Sequence, residues 1–310
     1  MLFTNIKNYI TQFPQLLKSH LYFYRSRQIE DEMVESVKTA CLVLGPYRNL
    51  TTLTAGIVFL HPFCQVLNHA AKRIFPIKNA NFLINYSEAK FENFIKYAIY
   101  YSRVVQRDGY GGSITMSHAF DHPIMKETYQ RRYGDSLIKR EIQSLFWKES
   151  MHVSNLIKQN NVNVMDLLDQ NKKLRFFMPI RNPLDCAISN FQKGYAEASF
   201  LSIKDYSLPN ILESILEEIS WFLDLHKENP DKFFFFFEND FDRGVLLRIA
   251  EFLDIEPIDE WIKDSLDCYQ IRKAYEYEPE LIDTYHRLIK VHFGYHPLIL
   301  EKMEKFSKTA

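Results

Sequence analysis

Phe177-Met178-Pro179-Ile180-Arg181-Asn182-Pro183-Leu184-Asp185-Cys186-Ala187-Ile188-Ser189-Asn190-Phe191 changes character at Arg181. The apolar run Leu174 to Ile180 has the length of a buried strand, and a guanidinium follows it at once. Asn182 then Pro183 is a helix-starting pair, because Asn caps free N–H groups and Pro lacks the N–H that the first turn cannot use. Ser189 falls about two helical turns further on, on the side of Asp185. A strand running through a cation into a helix puts both groups at the carboxyl edge of a sheet, where open α/β folds bind ligands. There Arg181 and Ser189 can grip one phosphate. The plain alternative is an exposed arginine beside an ordinary helix start. A guanidinium locked in an internal ion pair would count against the phosphate grip.

The same alternation runs outward from this segment. Cys41 to Leu44, Cys64 to Leu67 and Leu145 to Trp147 are short apolar strand candidates, and Phe233 to Phe237 is five consecutive phenylalanines. A run apolar on both faces fits a central strand of a parallel sheet. Helical spacing marks Thr51–Leu60, 87–107, 184–192, about 208–228, 244–253, 258–267, 279–293 and 297–306. Residues 1–39 are helical by Ile6, Ile10, Phe13, Leu16, Leu17 and Leu21. Short strands alternating with long helices predict an α/β fold, a parallel sheet flanked by helices, with a helical C-terminus. No repeat or linker divides the chain, so residues 1–310 are expected to form a single domain. The segment 87–144, with the break Asp108-Gly109-Tyr110-Gly111-Gly112-Ser113, is expected to be a helical insertion or cap over the active site; Gly111, Gly112 and Ser113 read equally as an acceptor-binding turn and as a simple loop.

Composition narrows the function classes. A net charge of −1 over 310 residues excludes a global basic field for nucleic acid. No 18-residue apolar run is present, so no membrane span is expected. The four cysteines, Cys41, Cys64, Cys186 and Cys268, show no CxxC or Cys/His metal spacing. Three lie in or beside apolar segments, as buried reduced thiols do. A cytoplasmic location is the expectation, and no metal is signalled.

A second anion site is visible at Leu44-Gly45-Pro46-Tyr47-Arg48-Asn49-Leu50-Thr51-Thr52-Leu53. A strand enters a loop, then a helix whose first turn carries two hydroxyls. Free N–H groups and the helix dipole favour an anion there. Arg48 adds a fork of donors. The loop lacks the GxxxxGK followed by Ser or Thr of ordinary nucleotide triphosphate enzymes, which disfavours a kinase. A threonine-capped helix with a surface arginine is the bland reading.

These two segments resemble the nucleotide-binding segments of sulfotransferases that use 3′-phosphoadenosine-5′-phosphosulfate (PAPS). The family's 3′-phosphate segment runs Arg, Asn or Asp, Pro, any residue, Asp, three residues, Ser, and Arg181 to Ser189 matches every fixed position. Its 5′-phosphosulfate loop carries a basic residue, small residues and a hydroxyl pair; Arg48, Thr51 and Thr52 match. Asn49 and Leu50 stand where the family usually has Ser and Gly. Phe233–Phe237, Glu238, Leu246 to Leu253 and Trp221 are similar to its late scaffold. The resemblance covers about residues 40–75 and 145–255, closer to the bacterial and carbohydrate-type branches than the cytosolic one. It implies a P-loop-NTPase-like sulfotransferase architecture with PAPS as cosubstrate and a hydroxyl acceptor, on a carbohydrate or small metabolite. Implied donor-binding residues are Arg48, Asn49, Thr51, Thr52, Arg181 and Ser189.

Sulfuryl transfer needs cations at the leaving oxygen and a base at the acceptor hydroxyl. Arg48 and Lys148, the latter at the end of Leu145–Trp147, are the expected cations. Cytosolic members carry a catalytic His where this chain has Ser150. Three residues can replace it: His118 first, Glu149 second, and His152 on the following helix. An imidazole titrates near neutrality. Three competing functions remain: a protein that binds PAPS or its product without turnover, a kinase with a degenerate loop, and a pure scaffold that binds no nucleotide. The sequence assigns no oligomeric state.

Overall fold

Thr39–Val43 (β1) is the hub of a six-stranded sheet that also contains Cys64–Asn68 (β2), Gly112–Ser113 (β3), Ser144–Lys148 (β4), Leu174–Ile180 (β5) and Phe233–Phe237 (β6). In this computed structural model the described residues are 2–107, 110–200, 203–271 and 275–307, with side chains described from residue 14 onward except 198 and 199. Asp108 and Gly109, and the side chains of Ile6, Ile10 and Phe13, therefore lie outside the described residues.

The strand order is β3-β2-β4-β1-β5-β6. Five strands run parallel, and only the two-residue β3 is antiparallel, pairing Leu67 with Ser113 and Asn68 with Gly112. Alternate residues face opposite layers. Ala40 and Leu42 join a core with the helices Glu88–Tyr101, Pro183–Gln192, Leu208–Glu228 and Pro279–Phe293. Cys41 and Val43 join a second core with the helices Thr51–Phe59, Pro123–Tyr133, Arg243–Phe252 and Asp259–Cys268. The chain leaves β1 toward β2 on one side and crosses from β4 to β5 on the other. In open α/β sheets ligands bind at such a reversal, outside the carboxyl ends of the strands, here those of β1, β4 and β5.

Local chemistry starts the helices where expected. Asn182 Oδ1 accepts from Leu184 N at 3.0 Å with Pro183 in the first turn, Ser87 Oγ accepts from Lys90 N at 3.3 Å, and Asp242 Oδ1 accepts from Val245 N at 2.8 Å. The four cysteines are free and buried.

Two placements differ from expectation. The five phenylalanines form the terminal strand of the sheet, not a central one. What they require is cover on both faces rather than a strand on both sides. Phe233 packs on Phe222 and Phe176, while Phe234 and Phe236 pack on Phe252, Phe241 and Tyr269. The segment 87–144 is also more than a cover. It contributes β3 to the sheet edge, and its helices lie on both faces of the sheet. Gly112 and Ser113 are thus ladder residues.

Candidate active site

The loop after β1 is shaped by left-handed backbone. Gly45 has φ 95, Arg48 φ 66 and Leu50 φ 58. Leu50 keeps the conformation that favours glycine although it carries a side chain. It precedes the helix Thr51–Phe59 and cannot cap it, so the first-turn N–H groups have no side-chain partner. Asn49 fixes the loop to β5. Its Nδ2 donates to Pro179 O at 2.5 Å, and its Oδ1 accepts from Arg181 N at 2.8 Å. Asn49 is therefore a buried strut between strands.

This strut brings the loop after β1 and the segment after β5 together. Arg48 Nε donates to Ser189 Oγ at 2.8 Å. Among the described residues Arg48 makes no other side-chain hydrogen bond, which leaves its terminal N–H groups for a ligand. Thr51 and Thr52 are nearly buried at the start of their helix.

Arg181 is not the free cation that the spacing suggested. Its Nη2 lies 3.1 Å from Asp185 Oδ2, its Nη1 donates to Arg48 O at 3.3 Å, and its Nε stands 4.0 Å from Glu238 Oε2. Asp185 Oδ1 also accepts from Tyr275 N at 3.0 Å and from Tyr277 OH at 2.7 Å. The guanidinium is internally paired, against the expectation of an open phosphate grip. Burial pushes the Glu238 carboxyl up to about 6.

The expected leaving-group cation, Lys148, ends β4 and is almost fully buried. Burial first, then the Arg48 charge, push its ammonium down to about 8 against the opposing pull of Glu149. Its Nζ lies 3.2 Å from His69 Nε2. The next residue, Glu149, is tied inward: Oε2 accepts from Ala71 N at 2.8 Å, and Oε1 is 3.7 Å from His69 Nδ1. Burial raises the Glu149 carboxyl, but His69, His152 and the Ala71 amide together outweigh it and the net direction is down. A 1% exposed, anchored carboxylate is not an open base, which corrects the expectation for Glu149.

His118 begins the short turn His118–Asp121 and is exposed, with no side-chain hydrogen bond or ion pair among the described residues. Partial enclosure, then the charges of Lys148 and Arg48, push its imidazole down to about 4, so it is neutral at pH 7. His152 sits on the helix Met151–Gln159, edge-on to Tyr47 with ring centres 5.8 Å apart. Ser150 is buried at φ 60 and its Oγ has no hydrogen-bond partner among the described residues.

His69 was missed by the sequence reading. Its signal was position, since it directly follows β2 at the same carboxyl edge. Gly111 supports its turn. At φ 80, a Cβ there would lie 2.1 Å from Asn68 O and 2.6 Å from Ala70 N. Gly111→Ala is expected to lower stability by more than ~1 kcal/mol, read as the shift of the denaturant midpoint. An unchanged midpoint would show the turn to be adaptable.

Neither a family model nor a curated protein matches this sequence. Solved structures similar to the chain are sulfotransferases. The mouse sulfotransferase SULT7A1 complexed with PAP is 12% identical, with a TM-score of 0.44, over 90% of this chain and 93% of that one. The sulfotransferase STF9 from Mycobacterium avium is 12% identical, with a TM-score of 0.44, over 89% and 80%. The sulfotransferase from Alicyclobacillus acidocaldarius is 12% identical, with a TM-score of 0.38, over 85% and 96%. Likenesses of this size assign no residue and no ligand to this chain. Among the described residues no helix is long and apolar enough to cross a membrane.

Proposed function

We propose that this chain is a sulfotransferase that binds PAPS at the carboxyl edge of the sheet and moves its sulfuryl group to an acceptor hydroxyl on a carbohydrate or small metabolite. The observation that carries the proposal is the 2.8 Å contact between Arg48 and Ser189, which joins two segments far apart in sequence. In this reading Arg48 and Ser189 hold the ribose phosphate, and the uncapped first turn with Thr51 and Thr52 holds the sulfonated end. Lys148 supplies charge to the leaving phosphate oxygen. Asn49 and Arg181 hold the loop in place rather than touching the donor. His118 presents a neutral imidazole where the acceptor would enter.

Leu50 and Ser150, which stand where the resemblance expects Gly and a catalytic His, favour binding without turnover. Leu50 keeps the glycine-type backbone, and His69 supplies an imidazole near Lys148. The Arg181–Asp185 pair favours a second reading, a scaffold that binds no nucleotide. Calorimetry with adenosine 3′,5′-bisphosphate, with ATP as control, separates these. Binding of the bisphosphate supports the enzyme; no heat with either nucleotide supports the scaffold. Arg48→Ala is expected to weaken bisphosphate binding by ~1.5–3 kcal/mol through loss of charge-assisted hydrogen bonds. Equal affinity in wild type and variant would remove Arg48 from the site.

A further inference from the structure

His69, Lys148 and Glu149 form one cluster at the adjoining ends of β2 and β4. Lys148 as an ammonium can only donate, so across 3.2 Å its Nζ donates to the lone pair of His69 Nε2. The imidazole proton is then on Nδ1, facing Glu149 Oε1 at 3.7 Å. Glu149 is fixed in turn by the Ala71 amide. The backbone is committed to this placement. His69 and Ala70 have φ 56 and 84, Trp147 Nε1 donates to His69 O, and Gly111 packs against the turn. Two consecutive side-chain-bearing residues in the left-handed region persist only where the surroundings hold them, and such strain clusters at functional sites. The charged or titratable neighbours of His69 are Lys148, Glu149 and His152. An imidazole with one nitrogen facing a carboxylate, here at 3.7 Å, and the other turned to a reactive site has the geometry of an oriented base. His118 has no such orienting partner.

We infer that His69 is the base for sulfuryl transfer and that Lys148 masks its Nε2 until an anionic donor draws the ammonium away. This rests on the proposed function. The donor's phosphosulfate attracts Lys148, and the His69 lone pair is released to the acceptor hydroxyl. The acceptor oxygen then attacks sulfur, the bond from sulfur to the phosphate oxygen breaks, and its electron pair leaves on the nucleotide. The hydroxyl proton passes to His69 Nε2, and the Glu149 carboxylate stabilises the imidazolium. Glu149 acts as a positioning residue. Because the mask lifts only with donor bound, the acceptor is activated only when there is a sulfuryl group to receive.

NMR titration of histidine-labelled protein tests this, with wild type free and saturated with adenosine 3′,5′-bisphosphate, and Lys148→Met as variant. Burial and then the Lys148 charge hold the His69 imidazole below its ordinary range. Lys148→Met should raise it by about one pH unit, and the bisphosphate should raise it in wild type by a similar amount. His69→Gln should slow sulfate release from PAPS into water by about tenfold or more. Bisphosphate that binds while leaving His69 unmoved overturns the mask and leaves the proposed function standing. Equal sulfate release in wild type and His69→Gln overturns the base. Failure of wild type to bind the bisphosphate overturns the proposed function and this inference with it. The wild-type titration needs no variant to fold.

Discussion

Arg181→Ala is expected to lower the unfolding free energy by about 3–5 kcal/mol, the usual cost of removing one partner from a buried ion pair. Asp185 is 2% exposed and would lose its only charge partner among the described residues, keeping the Tyr275 amide and the Tyr277 hydroxyl. The Arg48 carbonyl would lose a donor, and the loop after β1 would lose a support. A urea or guanidinium midpoint at lower concentration with an unchanged slope is the expected signature. Arg181→Lys, which keeps charge without the fork, should fall between the two. The opposite result is just as instructive. If Arg181→Ala unfolds like wild type and loses nucleotide affinity, the guanidinium serves the ligand, and the pair with Asp185 is only its resting position.

Lys139→Met is expected to stabilise the protein at neutral pH by several kcal/mol, the scale of burying an unpaired polar group. Lys139 is 4% exposed, and its Nζ has no hydrogen-bond partner among the described residues. It faces the rings of Tyr133, Phe59 and Tyr129 at 3.1, 4.4 and 4.9 Å from their centres. Those faces favour an ammonium by ~1–2 kcal/mol. Burial outweighs them and, with Arg132 also repelling, pushes the amine down to about 6 from an ordinary value of 10.5. The sign follows from proton counts. Between pH 6 and 10.5 the unfolded chain binds a proton at this lysine and the folded chain does not, so stability rises with pH across that window. Lys139→Met should flatten that rise in denaturant titrations at pH 6, 7, 8 and 9. An unchanged slope would mean the rings hold a charged ammonium after all.

The strands and most helices were legible because burial on two faces leaves continuous apolar runs, and Leu174–Ile180, 279–293 and 297–306 sit where the pattern put them. The position of Phe233–Phe237 was not, because composition reports covered faces and says nothing about how many strands flank a strand. The site was legible in part. Arg48 and Ser189 do meet, yet the sequence reading uses Asp185 only to mark the face of Ser189, although the i, i+4 spacing of Arg181 and Asp185 also allows an ion pair. Spacing gives proximity; whether two charges neutralise each other depends on who else buries them, here Tyr275, Tyr277 and Glu238. His69 escaped because an imidazole after a strand looks like any other until Lys148 is set beside it by the β2–β4 register, Asn68 opposite Lys148.

Asn182, which starts the helix carrying Ser189, also donates from Nδ2 to Tyr277 OH at 2.8 Å and to Phe306 O at 3.2 Å. A growing polypeptide thus cannot complete the contacts of Asn182 while Phe306 is still inside the ribosome. Stop codons upstream of that residue should yield products that keep every strand of the sheet and lack the Phe306 carbonyl that Asn182 donates to.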